Sequence, residues 1–154
     1  MSLVLQADNI SKSFGEQQIF KSLSLKIYSG ERIGITGPNG AGKSTFISIL
    51  ATILKPTSGD ARVNGYSIRE QPEKVKREIG FVPQDIALYP MLSGRDNLDF
   101  WAGIYGLRGK LKKERINEAV EIVGLGDRIK DRVSRYSGGM KRRLNIAVSL
   151  MHHP

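Results

Sequence analysis

Residues 32–54 read RIGITGPNGAGKSTFISILATIL, and this stretch decides the fold. Arg32-Ile33-Gly34-Ile35-Thr36 is a short apolar run, the composition of a strand buried in a parallel sheet. Residues 37–45, GPNGAGKST, satisfy the pattern G-x-x-x-x-G-K-[ST] with Gly37, Gly42, Lys43 and Ser44. Glycines there let successive backbone N–H groups curl around phosphate oxygens, a lysine adds a mobile positive charge, and a serine hydroxyl can hold magnesium. From Ser44 to Leu54 the apolar residues Phe46, Ile47, Leu50, Ile53 and Leu54 recur at helical spacing, which predicts a helix stopped by Pro56. Its positive dipole end lies beneath the phosphates. A strand directly before the loop and a helix directly after it distinguish a triphosphate site from a chance glycine-rich turn. The candidate binding residues are Gly37, Pro38, Asn39, Gly40, Ala41, Gly42, Lys43, Ser44 and Thr45.

Upstream, Leu3-Val4-Leu5 and Phe20 to Ile27, with Leu23, Leu25 and Ile27 alternating against polar residues, read as half-buried strands of an antiparallel start. Downstream, Pro56-Thr57-Ser58-Gly59 is a turn, Ala61-Arg62-Val63 a short strand and Asn64-Gly65 a hairpin turn. Lys74 to Glu78 reads as a short polar helix, and Ile79-Gly80-Phe81-Val82 as another buried strand, ended by Pro83. From Ser93 the periodicity becomes helical, with Ser93 and Asp96 spaced as a capping box. Gly124 and Gly126 close that region, and a last helix follows Ser137 with Met140, Leu144, Ala147, Val148 and Met151 on one face. The predicted fold class is therefore α/β: an antiparallel portion and a partial parallel-sheet core over residues 1–86, then a helical portion over 87–154.

Composition sets the limits. The 154 residues suit one domain, and 40% hydrophobic with 25% charged residues argues against disorder. The longest strongly apolar stretch, Phe46 to Leu54, interrupted by Ser48 and Thr52, is far short of the ~20 residues of a membrane helix. No secretory pattern is visible at the N-terminus, and zero cysteines exclude disulfides and thiolate metal sites, which fits a reducing cytoplasm. The formal charge is +9, and residues 103–154 hold 12 basic and 5 acidic side chains. A basic face could meet nucleic acid, anionic lipid or nucleotide phosphate. However, Lys112-Lys113-Glu114-Arg115 is interleaved with Glu118 and Glu121 at helical spacing, which predicts an ion-paired solvated face.

The second informative segment is YSGGM at 136–140, where Ser137 can cap a helix and Gly138-Gly139 leave two N–H groups unobstructed at its start. Lying beyond a helical region from the phosphate loop and followed by Lys141-Arg142-Arg143-Leu144, it resembles the signature motif of ABC transporter nucleotide-binding domains, typically LSGGQ. Tyr136 stands in place of Leu and Met140 in place of Gln. YSGGMKRRLNIA together with VPQDIALYP resembles the ATPase subunits of ABC-2-type exporters, and the likeness covers nearly the whole chain.

That resemblance implies a P-loop NTPase fold of ABC type with ATP and Mg²⁺ as cofactors, in which Phe14 stacks on adenine. It implies that Gln84 of FVPQD reaches Mg²⁺ and the attacking water, Ser44 serving as the other metal ligand and Lys43 as a catalytic cation. Ser137, Gly138 and Gly139 would touch the γ-phosphate held by a second nucleotide-binding subunit. A membrane-spanning permease is the implied partner, the location is the inner face of the membrane, and no nucleic acid is expected.

The resemblance also implies a later strand ending in Asp for Mg²⁺, then a catalytic Glu and a switch His. No Asp or Glu follows Asp131, so residues 1–154 read as the N-terminal part of one such domain, incomplete at the C-terminus. Glu121-Ile122-Val123-Gly124-Leu125-Gly126-Asp127 and Phe81-Val82-Pro83-Gln84-Asp85 are not replacements: glycines break the first and Pro83 the second. His152 and His153 lack further ligands and match the family's linker before that strand. The expectation is an exporter's ATP-binding part that hydrolyses poorly by itself and associates through unpaired strand edges. A hydrolysis-deficient nucleotide-binding module and a soluble ABC ATPase acting on nucleic acid or ribosomes are the alternatives.

Overall fold

Two long strands, β1 (Leu3–Phe14) and β2 (Gln17–Tyr28), pair antiparallel with Leu5 opposite Ile27 and Ala7 opposite Leu25. β1 also pairs antiparallel with β3 (Ser58–Val63), and the two-residue β4 (Tyr66–Ser67) completes a sheet ordered β2-β1-β3-β4. Asn64 and Gly65 join β3 to β4 with φ of 47° and 84°, two left-handed residues as a tight type I′ hairpin requires. The computed structural model describes residues 1–85 and 87–154, which form two compact units, Met1–Ile79 and Gly80–Pro154. The boundary expected after Ile86 falls on a residue outside those described.

In the first unit, helix α1 (Lys43–Leu50) buries Phe46 and Ile49 against Ala7, Ile10, Ala61 and Val63 of the sheet. Phe46 meets Phe20 of β2 edge to face at 5.8 Å between ring centroids. Helix α2 (Pro72–Glu78) begins on a proline, whose missing N–H costs nothing there, and contributes the buried Val75. In the second unit, α3 (Gly94–Ile104), α4 (Gly109–Val123) and α5 (Gly138–Leu150) enclose a core that includes Leu98, Ile116, Val120, Val133, Leu144 and Met151. The Ser93–Asp96 capping box forms in both directions, and Gly124 ends α4 with φ of 61°.

Three expectations need correction. Arg32–Thr36 and Ile79–Val82 carry no β-ladder among the described residues, so the parallel part of the sheet is not formed. Ile33 is 49% exposed and Phe81 37%, instead of buried. An apolar run becomes a strand only where a neighbouring strand completes a ladder with it, and among the described residues neither run is laddered. Third, α1 ends at Leu50, well before Pro56, because Thr52 turns left-handed with φ of 59°. The Thr52 N–H donates to Ile49 O (3.0 Å) and the Ile53 N–H to Ser48 O (2.9 Å), the double bond of a Schellman stop.

Glycine is the usual occupant of that left-handed position. A β-branched residue there costs on the order of 1–2 kcal/mol, and the Thr52 hydroxyl is additionally buried without a hydrogen-bond partner. Thr52→Gly is expected to raise stability by about 1 kcal/mol, net of glycine's greater freedom in the unfolded chain. Urea denaturation of the two proteins measures it; an unchanged or lower midpoint would show that the left-handed turn is not strained.

Candidate phosphate-binding site

The phosphate loop enters α1 through Gly42, which has φ of 85° and stands at the helix N-cap. A side chain is excluded there twice over. The backbone is left-handed, and a Cβ would lie 2.6 Å from Ile19 and 2.9 Å from Phe20 of β2. Gly40, with φ of 83°, supplies the other left-handed turn in the loop. Lys43 folds back, donating from Nζ to the carbonyls of Gly37 and Pro38 at 2.8 Å each. Residues 37–41 and Ser44 are exposed, while Lys43 and Thr45 are half-buried.

The charges at the start of α1 are the reverse of what a free helix favours. No side chain caps it, no acid lies in its first turn, and Lys43 sits at the positive end of the dipole. An anion at the helix start removes both defects, so the residues present fit a triphosphate, and Ser44 beside Lys43 is exposed. Phe14 ends β1 opposite Gln17, at the same end of the β1–β2 hairpin as the Ile19 and Phe20 that pack on Gly42. Its ring is 49% exposed, with Lys12 Nζ 4.7 Å from its centroid. One strand thus offers an accessible aromatic face backed by a cation.

The second unit holds the other predicted residues. Ser137 caps α5, its Oγ accepting from the Met140 N–H at 3.2 Å. Gly138 and Gly139 are exposed, and a Cβ at Gly138 would meet nothing within 4 Å. As in α1, no acid lies in the first turn, while Lys141, Arg142 and Arg143 follow. Gln84 is exposed. The phosphate loop and Phe14 therefore belong to one unit, and Gln84 with Ser137–Gly139 to the other.

Several residues that shape the second unit are invisible to motif reading. Tyr136, the departure from the usual leucine, is buried, and its hydroxyl donates to Arg128 O at 2.7 Å. Gly94 makes the room: a Cβ there would come within 2.4 Å of that hydroxyl. Asn97, fully buried, locks the preceding loop by accepting from the Tyr89 N–H and donating to the Tyr89 and Ser93 carbonyls. Arg143 donates to Val123 O and Gly124 O at 3.1 Å each, neutralising the C-terminal end of α4. The only sequence signal for Asn97 was a polar residue beside the buried Leu98. Of the expected α4 pairs Arg115–Glu118 (3.3 Å) forms, while Lys112 pairs instead with Asp99 of α3 (2.7 Å) and Glu114 with Lys110 (3.6 Å).

The family profile described as "ABC transporter" matches residues 20–154. The chain belongs to the ABC transporter family. This ABC cassette is 48% identical over 151 residues to the linearmycin resistance ATP-binding protein LnrL of Bacillus subtilis, covering 98% of the chain and 49% of that protein. It is 36% identical to the doxorubicin resistance ATP-binding protein DrrA of Mycobacterium tuberculosis, covering 99% of the chain and 46% of DrrA. The cassette thus spans about half the length of the curated relatives it matches. Among solved structures it superposes on cbiO1 from Clostridium perfringens, part of the ABC transporter complex cbiONQ, with a TM-score of 0.87 and 28% identity. All of the chain and 63% of cbiO1 are covered. The dimeric ATP-binding cassette MJ0796, bound to ADP and Pi, gives a TM-score of 0.80 at 29% identity, covering 97% of the chain and 70% of that cassette. Among the described residues no helix is long and apolar enough to cross a membrane.

Burial raises the Tyr136 phenol above its ordinary value of 10.0; the Asp131 charge adds to the shift and Arg128 opposes it. A raised folded-state value means the phenol's stabilisation is complete below pH 10.0 and disappears as pH climbs through that raised value. Tyr136→Phe is expected to lose about 1 kcal/mol at pH 8, with Arg128 O left without its donor. The gap between the two proteins should then close above pH 10. Denaturant titrations at pH 8, 10 and 11 measure it; a gap independent of pH would show that the hydroxyl is not buried in the folded state.

Proposed function

We propose that residues 1–154 are the phosphate-loop and signature-helix parts of one ATP-binding domain of an exporter subunit, coupling ATP to transport by a membrane-spanning permease. The observation that carries this reading is the pair of helices, α1 and α5. α1 follows the left-handed glycine N-cap Gly42 and α5 opens on the exposed Gly138-Gly139; neither has an acid in its first turn, and each carries cations close to its positive end. Such charge placement opposes helix stability unless a polyanion arrives. Lys43 would exchange two carbonyls for phosphate oxygens, Ser44 and Gln84 would hold Mg²⁺, and Phe14 would stack on adenine. Magnesium supplies charge neutralisation across the phosphates when it is bound.

Ser137–Gly139 would meet the γ-phosphate held by a second subunit, consistent with MJ0796, which is dimeric with ADP and Pi. The resistance ATP-binding proteins among the relatives support export, and the cbiONQ complex supports partnership within a transporter. The domain would then lie at the cytoplasmic face of a membrane. Residues 1–154 by themselves would bind Mg²⁺–ATP without steady turnover, since no carboxylate after Asp131 is present to activate water.

Equilibrium binding of a fluorescent ATP analogue tests the reading. Lys43→Ala removes a charge-assisted contact and is expected to weaken binding by roughly 10- to 100-fold. Phe14→Ala should weaken it by about 5- to 100-fold, the range for base stacking. Phosphate release from residues 1–154 should stay at background. Steady turnover abolished by Lys43→Ala would overturn the claim about hydrolysis, and unchanged affinity in both variants would overturn the assignment of the site.

A further inference from the structure

The segment that carries Gln84 is fastened to helix α5 on both sides of that residue. Arg142 Nη1 donates to Pro83 O at 2.5 Å, and Asn145 Nδ2 donates to Asp85 O at 3.4 Å. Just upstream, Gly80 lies so close to the same helix that a Cβ would stand 2.8 Å from Ser149 O. Residues 80–85 therefore run against α5, and the two carbonyls it captures bracket Gln84.

Asn145 is the more telling of the two donors. It is 3% exposed, next to Leu144 and on the side of α5 where Ala147 and Val148 are also buried. A buried amide costs free energy that an alanine or leucine would not, unless a partner uses it. Here the partner is the backbone one residue after Gln84. Arg142, by contrast, is exposed, so its contact with Pro83 O is not a consequence of core packing.

We propose that Arg142 and Asn145 are positioning residues for Gln84, through which the helix that begins at Gly138-Gly139 sets where the glutamine amide can reach. The inference rests on the reading of Gln84 as a magnesium and water ligand. Holding the carbonyls on either side fixes the backbone at Gln84 before ligand arrives, so that ordering cost is not charged against metal binding. The same helix transmits position. Gly138 and Asn145 lie on one rigid element, about 10 Å apart at 1.5 Å per residue, so a phosphate drawn onto the N–H groups of Gly138-Gly139 shifts the anchors of Gln84 with it.

The experiment measures ATP affinity with and without Mg²⁺ in the full chain. Its readout is the Mg²⁺-dependent gain in affinity, together with hydrogen exchange at the Gln84 and Asp85 amides. Gln84→Ala alone tests the underlying reading: if the gain is unaltered, Gln84 is not a magnesium ligand and the positioning proposal falls with it. With that gain lost, the Arg142→Met, Asn145→Leu double variant is expected to lose most of it too, roughly five- to tenfold, and to speed exchange at 84–85. Adding Gln84→Ala to the double variant should cost nothing further, and Arg142→Lys should retain the gain. Affinity for ATP without Mg²⁺ should be the same in Asn145→Leu as in the parent chain, since that change removes no charge. If the double variant keeps the full gain, or if its loss adds to that of Gln84→Ala, α5 does not position the glutamine. Arg142→Met alone, at an exposed site, gives the same answer at smaller amplitude where Asn145→Leu disturbs folding.

Discussion

Successive residues of a helix point about 100° apart, and α5 uses this geometry to fasten four surroundings with four consecutive side chains. Arg142 takes the Pro83 carbonyl, Arg143 the last carbonyls of α4, Leu144 the apolar core and Asn145 the Asp85 carbonyl. The second unit depends on this arrangement, because the segments it fastens have little regular hydrogen bonding of their own. Residues 79–85 carry no ladder, and Gly124–Tyr136 is a chain of short turns. Carbonyls at Pro83, Asp85, Val123 and Gly124 are met by side chains of this one helix, and backbone turn bonds close much of Gly124–Tyr136. A displacement of α5 therefore moves loops, not just packing.

Sequence patterns that are satisfied locally were legible. The Asn64-Gly65 hairpin, the Ser93–Asp96 capping box, the Gly124 helix stop and the Ser137 cap each depend on residues a few positions apart, and each forms. The phosphate loop is of the same kind, since Gly40 and Gly42 take the left-handed turns their residue type permits. What failed was long-range. The runs 32–36 and 79–82 have the composition of buried strands, yet a strand is defined by its neighbour, and apolar content says nothing about whether a neighbour is there. The end of α1 is hidden for a related reason. Pro56 is the visible stop signal, but a threonine takes the left-handed position normally marked by glycine, so no residue type announces it.

Polar residues that organise the second unit were also hidden. Asn97 and Asn145 sit beside apolar neighbours at inward positions, where a polar residue interrupts the hydrophobic period and reads as noise. Each is in fact used by backbone, Asn97 by the loop before α3 and Asn145 by the segment around Gln84. Tyr136 shows the same logic with an aromatic. A departure from the family's usual leucine looks like weakening of the motif, but its buried hydroxyl reaches Arg128 O through space that only glycine at position 94 leaves open. The substitution and its accommodation are far apart in sequence, and only the packing connects them.

The helices that follow the two glycine-rich segments differ in how their N-termini are satisfied. α5 is capped by its own Ser137, so its N-terminus is partly satisfied without a ligand, and its exposed glycines add N–H groups beyond that cap. α1 has no such cap; besides the packing of Phe46 and Ile49, its first turn is tied by Lys43 to the Gly37 and Pro38 carbonyls, contacts that a phosphate would replace with charge-assisted ones. The loop is therefore held in shape by the same ammonium that the proposed function gives to the phosphates. On the proposed reading both helix starts respond to nucleotide, α1 by exchanging the Lys43 contacts and α5 by carrying the anchors of Gln84 with it.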